Sequence, residues 1–326
     1  MGSWPTSRQQ QRIVPDEPLG RSTRLIAEIW DPSGPMTSRK EFAMTVLVTG
    51  ATGNIGSLVV ERLLTHGQRP RVFVRDEAKA RERFSDRVEV VVGDLADSAS
   101  LESALEGVDQ LFLVSTGYQL QTRDEAAAKA ARLQGVKRLV KLSSMDARQG
   151  VGSGVFHAIG EQAIRASGIN FVFVQPAGFM TNALGWATAI KQEGVVRSCT
   201  DEGRIAFIHP RDIAEVATTV LLTDAYDGVS LPITGPEALS YGQMAAKIAA
   251  VIGRPVSFLA ISEEEAREEW IATGESPRWV AEVDLPIWRA MREGRLAEVT
   301  DNVRLVTGRS PITFDEWVEE NQNLFG

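Results

Sequence analysis

From Thr45 to Val174 short β-branched runs alternate with longer helical patterns, and no other feature restricts the fold of this chain so strongly. The expected strands are Thr45–Thr49, Arg71–Val74, Val88–Val92, Gln110–Val114, Arg138–Leu142 and Asn170–Val174. Helices are expected to open near Asn54, Glu77, Ser98, Arg123 and Val155. Strands joined through helices pair in parallel, and a parallel sheet is covered on both faces. With right-handed crossovers the expectation is an α/β protein built on a doubly wound parallel sheet of six strands. Beyond Pro176 the regularity weakens: helical stretches Ile213–Leu222, Tyr241–Ile252 and Glu263–Thr273 are broken by extended pieces at Ile205–Ile208 and Leu231–Thr234. Residues 44–180 are read as the core. Residues 181–326 are read as a smaller, mainly helical C-terminal substrate lobe over the strand ends, with some segments returning to the core.

Length and composition fit this reading. The chain has 326 residues, 43% hydrophobic and 24% charged, so a body of about 280 residues can bury roughly three quarters of its unfolded surface. The five prolines Pro5, Pro15, Pro18, Pro32 and Pro35 and a single short apolar cluster mark residues 1–43 as a mobile extension. A net charge of −8 argues against a nucleic-acid surface, which needs a basic stripe. No run approaches the ~18 apolar residues of a membrane span, and no secretory leader is evident, so a cytoplasmic location is expected. The lone Cys199 excludes an intrachain disulfide and is read as a packing residue. His66 and His209 stand at no metal-ligand spacing with each other or with Cys199, and no metal site is indicated. An apolar face left exposed on the C-terminal helices would imply a homodimer.

Gly50, Gly53 and Gly56 are three apart, directly after the first strand and at the mouth of a helix whose apolar face runs through Ile55, Val59 and Leu63. Such a loop turns tightly, lets backbone approach a pyrophosphate and packs helix on strand, while the helix N-terminus offers free N–H groups to the anion. The triplet is weak evidence alone; its strand–turn–helix context makes it a dinucleotide loop in which Thr52, Asn54 and Ile55 also face the ligand. The second strand ends in Arg75-Asp76, where a carboxylate first would hold ribose hydroxyls. Arg75 first can pair with a 2′-phosphate, so NADP(H) is favoured over NAD(H), with Asp76 as the complicating neighbour. Asp94 and Leu95 after the third strand, Ser115 and Thr116 after the fourth, and Ser143 and Pro176 further on extend the same cofactor path.

These residues carry a resemblance. The stretch from Val48 to Gly56, the Gly93-Asp94-Leu95 turn, Val140 to Ser144, His157 to Glu161, Ser167-Gly168, Gln175 to Asn182 and His209 to Ala214 together resemble the NmrA-like family of atypical short-chain dehydrogenases/reductases. The resemblance implies a Rossmann core, a nicotinamide dinucleotide and a variable pocket. Typical short-chain reductases use a Tyr that handles the substrate proton and a Lys four residues later; the matching positions here are His157 and Glu161, so that pair is absent. Glu161 cannot support an oxyanion, but its carboxylate can accept from ribose hydroxyls or from His157, and a carboxylate beside His157 would raise the imidazole towards neutrality. His157 is then either the proton donor or a structural histidine. Ser143 and Ser144 fall where the family's substrate-polarising Ser stands, with Ser144 preferred.

Tyr118 is a further candidate for substrate contact, whereas Phe179, Met180, Trp186, Trp270 and Trp288 read as pocket wall and core. Arg211 and Asp212 are expected to cap the helix that follows. The leading reading is an NADPH-dependent reductase that passes hydride to a carbonyl, quinone or conjugated double bond of a small apolar or aromatic molecule, with Ser144, His157 and Glu161 as catalytic candidates. The alternative is a non-catalytic NADP(H)-binding redox sensor acting through a protein partner.

Overall fold

The computed structural model describes residues 44–326; the extension expected over 1–43 lies outside the described residues. Seven strands form one parallel sheet in the order β3-β2-β1-β4-β5-β6-β9. They are β1 (Val46–Thr49), β2 (Arg71–Val74), β3 (Glu89–Val92), β4 (Gln110–Leu113), β5 (Arg138–Leu142), β6 (Asn170–Pro176) and β9 (Ser230–Ile233). The crossover helices of the first half are α1 (Asn54–Thr65), α2 (Glu77–Phe84), α3 (Ser98–Ala104), α4 (Leu120–Leu133), the short α5 (Asp146–Gln149) and α6 (Gly154–Ala166). This is the doubly wound arrangement expected from the alternation, with one strand more: the piece near Leu231, assigned to the lobe on sequence, pairs in parallel with β6 at Phe173↔Ser230. It is apolar enough to be buried on the sheet edge, and Leu231 and Ile233 are fully enclosed.

Side-chain alternation sorts the strands onto two faces. Val46, Val48, Val72, Val74, Val140, Leu142, Val172 and Val174 pack with Ile55, Val59 and Leu63 of α1 and with Ile213, Val216 and Val220 of helix α8, defined below. On the opposite face Leu47, Phe73, Leu111, Leu113, Leu139 and Phe173 meet Leu101 of α3, Ala127 and Ala131 of α4 and Ile164 of α6. Burying a large aliphatic side chain contributes about 1.5–3 kcal/mol, so the two faces together dominate the stability of this half.

After β6 the chain builds the second body: helix α7 (Ala187–Glu193), strands β7 (Val195–Ser198) and β8 (Arg204–Ile205), helix α8 (Pro210–Leu222), β10 (Leu239–Ser240), α9 (Tyr241–Ile252), β11 (Ser257–Ala260) and α10 (Glu263–Ala272). Then come α11 (Pro277–Trp279), a π-helical stretch Val280–Asp284, α12 (Leu285–Arg292), α13 (Asn302–Thr307) and α14 (Phe314–Asn321). β7 pairs in parallel with β11, and β8 antiparallel with β10. A second core unites Met180, Trp186, Tyr241, Met244, Trp288, Phe314, Trp317 and Phe325. Met180, Trp186 and Trp288 are thus packing residues, as expected. The cap of α8 differs from expectation: His209 is the N-cap, its Nδ1 accepting the Arg211 N–H at 2.9 Å, with Pro210 in the first turn. Asp212 instead turns its carboxylate to the Ile312 N–H at 2.8 Å, because that amide is otherwise left unbonded where the chain enters α14.

Candidate functional site

Six parallel strands deliver their carboxyl ends to one edge, so every loop singled out on sequence emerges there. The first is the glycine loop. Gly50 turns at φ +60°, and a Cβ on it would meet Val114 Cβ at 3.0 Å. A Cβ on Gly56 would overlap the Gly50 carbonyl, its carbon only 2.7 Å away. Gly53 serves as N-cap of α1 without a side chain to cap it, and the first turn holds no acidic residue. The N–H groups at the start of α1 are therefore open to an anion. Asn54 reaches across to Thr181 Oγ1 at 3.1 Å, Thr52 is half-buried, and Ile55 anchors the helix in the core.

After β2, Arg75 and Asp76 are both exposed and have different surroundings. Asp76 is the N-cap of α2, Oδ1 accepting the Lys79 N–H at 3.1 Å, which engages one oxygen of its carboxylate. Arg75 is exposed and among the described residues makes no ion pair. After β3, a Cβ on Gly93 would sit 2.6 Å from Phe73 Cζ, so only glycine fits. Asp94 Oδ1 accepts from Ala96 N at 2.9 Å, and Leu95 is half-buried against the α3 face. This leaves the Asp94-Leu95 turn ordered, with one carboxylate oxygen committed to it.

At the carboxyl ends of β4, β5 and β6 the α4/α6 face changes from apolar to polar. Leu111 and Leu113 are followed by Ser115, Leu139 by Lys141 and Ser143, Phe171 and Phe173 by Gln175. The fully buried Lys141 Nζ pairs with the fully buried Asp124 of α4 at 2.7 Å. Ser115 Oγ donates to Asp124 Oδ1 at 2.5 Å. Gly160 of α6 leaves the room: a Cβ there would collide with Asp124 Oδ2. At the next residue, Glu161 Oε1 accepts from Ser143 Oγ at 2.5 Å and from Gln175 Nε2 at 2.8 Å. Burial raises the Glu161 carboxyl, opposed by these two bonds and by Lys141.

The structure corrects several site expectations. Glu161 gives its bonds to Ser143 and Gln175, not to His157, whose Nδ1 is buried without a partner. Burial and the Lys141 ammonium push His157 well below its ordinary value, the reverse of the rise expected from a neighbouring carboxylate, so its imidazole is neutral. The Ser115 and Ser143 hydroxyls donate their protons inside the polar layer, to Asp124 and Glu161, which leaves them acceptors only. Thr116 is exposed, and its carbonyl accepts from Arg123 at 3.0 Å. Pro176 is buried at the end of β6, its carbonyl accepting the Met145 N–H at 2.9 Å. Tyr118 packs edge-on against Phe156 and Trp279 with centroids 5.8 and 5.1 Å away, and Arg278 lies 4.6 Å above its ring. Sequence reasoning missed Lys141 and Asp124; a lone lysine inside the apolar run Arg138–Leu142 was the available signal.

A narrow pocket opens between the strand ends and the second body. It is lined by Met145, Asp146 and Gln149 after β5, Ala177 and Gly178 after β6, Ile205 of β8, and Arg295 and Leu296. Ser144 precedes the lining residue Met145 in the chain, and its Oγ accepts the Asp146 N–H at 3.1 Å. Its position outside the carboxyl ends of a doubly wound sheet is where such folds take ligands.

Sheet order, glycine loop and crevice together define a dinucleotide-binding Rossmann protein of the atypical reductase type. Residues 43–284 match the model of the NmrA-like family, and the chain belongs to it. It is 37% identical to a (4-alkanoyl-5-oxo-2,5-dihydrofuran-3-yl)methyl phosphate reductase of Streptomyces griseus, over 86% of this chain and 99% of that one. An NAD(P)H azoreductase of Xenophilus azovorans is also 37% identical, with the same coverage. Among solved structures, an NADPH-dependent quinone oxidoreductase of Escherichia coli complexed with NADPH is 26% identical with a TM-score of 0.78, covering 85% of this chain and 99% of that one.

Proposed function

We propose that the protein is an NADPH-dependent reductase that passes hydride to a carbonyl, quinone or conjugated double bond of a small, apolar or aromatic molecule. The observation that carries the cofactor choice is the free guanidinium of Arg75 beside an Asp76 already committed to capping α2. The orphaned Nδ1 of His157 and the orphaned Oε1 of Gln175 are buried polar atoms that a bound dinucleotide can satisfy. The loop from Gly50 to Gly56, with Thr52, Asn54 and Ile55, would hold the pyrophosphate, and Arg75 the 2′-phosphate. Asp94 and Leu95 would flank the adenine, while Thr116, Pro176 and the backbone of Ser115 and Ser143 would border the nicotinamide half. Bound NADPH supplies the hydride.

The residues of the chain position and polarise the acceptor. Ser144, next in the chain to the lining residue Met145, orients the receiving heteroatom. Neutral His157 and the hydrogen-bonded Glu161 shape the floor instead of the Tyr/Lys pair of typical short-chain reductases. Most of the rate then comes from holding donor and acceptor together in a shielded crevice, an effect that can supply about 7–11 kcal/mol. The relatives named as reductases favour this reading over a sensor without turnover. The test is to follow NADPH absorbance while the protein is offered quinones, azo compounds and conjugated lactones. Oxidation with at least one acceptor, lowered about tenfold or more by Ser144→Ala, is the expected result; tight NADPH binding with no oxidation anywhere would leave the sensor.

A further inference from the structure

We propose that Asp146, a residue lining the pocket between the strand ends and the second body, is the proton donor of this reductase and delivers the proton that accompanies hydride transfer. The inference rests on the reductase reading above. Among the described residues that line the pocket, Asp146 is the one carboxyl, set among Met145, Ala177, Gly178, Ile205 and Leu296. The other two acid–base candidates are poorly suited to giving a proton up. His157 is neutral, and its buried Nδ1 faces no partner. Glu161 is held by Ser143 and Gln175 in the polar layer beneath the α4/α6 face.

Geometry keeps the Asp146 carboxyl available. Its backbone N–H is bonded to Ser144 Oγ, which fixes the residue at the start of α5. Gly154 lets the backbone of α6 close against the Asp146 carbonyl, which a Cβ would obstruct. The charged groups around it are already paired: Arg148, on its own helix, meets Glu298 at 3.2 Å, and Arg295, from the second body, meets Glu293 at 2.8 Å. From β6 and β8 the pocket presents only Ala177, Gly178 and Ile205, which carry no charge. With no cation committed to it, burial raises the carboxyl to about 6, opposed only by hydrogen bonding to Ser144. A carboxylic acid with that value holds a useful fraction of protons near neutrality and releases them readily.

The step balances. The acceptor gains the hydride at carbon or nitrogen and a proton at its oxygen or second nitrogen; the Asp146 O–H bond breaks as the new O–H or N–H bond forms. The cofactor is oxidised, the acceptor is reduced, and the Asp146 carboxylate takes a proton from solvent after product leaves. Ser144 orients the receiving atom beside the carboxyl.

The experiment compares wild type, Asp146→Asn and Asp146→Glu in the complete chain. Asp146→Asn should lower kcat by about a hundredfold while leaving the Kd for NADPH unchanged, within the range known for loss of a general acid. In wild type, kcat/KM should fall as pH rises through about 6, and this limb should vanish in Asp146→Asn and persist, displaced, in Asp146→Glu. Infrared difference spectra of the cofactor-free protein should show, beside the Asp212 carboxyl, a second protonated carboxyl titrating near that pH, and only this second one should be missing from Asp146→Asn. An Asp146→Asn enzyme with wild-type kcat and an unchanged limb would overturn the proposal and leave the reductase intact. Failure of wild type to oxidise NADPH with any acceptor would overturn both. Should Asp146→Asn lose NADPH binding through misfolding, the pH limb of Asp146→Glu decides: unmoved, it refutes the assignment.

Discussion

At the scale of single residues, the proposed cofactor selectivity rests on two neighbours with different surroundings. Asp76 ends β2 and caps α2, and Arg75 is left facing solvent at the strand end. A charge-assisted bond to a 2′-phosphate contributes about 1.5–3 kcal/mol, so Arg75→Ala should weaken NADPH binding roughly tenfold to a hundredfold and leave NADH binding unchanged. Fluorescence titration with both nucleotides checks this. Asp76→Ala should instead cost about 1 kcal/mol of stability through the lost cap, with little change in selectivity. A loss of NADH binding in that variant would mean that Asp76, not Arg75, faces the ribose. The order Arg75-Asp76 was legible in the sequence, but the capping bond that engages one oxygen of Asp76 was not, because it depends on how the first turn of α2 folds back.

Elements impose the next level of order. Lys141 on β5 and Asp124 on α4 form an ion pair closed off from solvent, with Gly160 of α6 making room for the carboxylate. Removing one partner of a buried pair strands the other charge at a cost of about 3–5 kcal/mol. Asp124→Leu or Lys141→Met should each destabilise the protein on that order, and the double variant less than either single one; a denaturant-unfolding cycle measures the coupling. Additive losses would show that the two charges do not depend on each other. In the glycine loop, Gly56→Ala places a methyl on the Gly50 carbonyl, so the loop must shift and NADPH binding should be lost even where the protein remains folded. Isothermal titration separates these outcomes. The glycine spacing announced this loop without structural help, since each glycine acts within a few residues of its neighbours.

For the whole molecule, burial of acids sets the response to pH. Burial, reinforced by Glu275, raises Asp284 to about 7, with hydrogen bonding to Trp270 opposing; burial also raises Asp212 and Asp146 to about 6. Each is above its unfolded value near 3.8. Between pH 4 and 7 the folded state therefore retains protons that the unfolded chain has released, so stability falls as pH rises through that window and levels off above it. Each unit corresponds to about 1.4 kcal/mol before solvent screening is discounted. Asp284→Asn should raise Tm at pH 8 and leave it nearly unchanged at pH 4, a pattern that scanning calorimetry at the two pH values tests. Glu263 works in the opposite sense: Arg289 and Arg292 hold it at about 2, so its contribution is present above pH 4.5 and fades only as pH falls toward 2.

The sequence by itself determined the α/β class, six of the seven sheet strands and the dinucleotide loop. All of these are written in local periodicity or in spacings within a single strand–helix unit, where side-chain alternation and glycine conformation act over a few residues. The tertiary structure alone decided what the charged and polar side chains do. β9 joined the sheet because its apolar face could be buried beside β6, a fact that its short run did not announce. Lys141, Asp124 and Glu161 found their partners through the register of three strands and the packing of two helices, while burial, with Lys141 nearby, pushed His157 well below its ordinary value where its sequence neighbours suggested the reverse. The pocket around Asp146 draws on segments from Met145 to Leu296. Desolvation and pairing are properties of what surrounds a group in space, and a linear sequence holds them only through the fold it specifies.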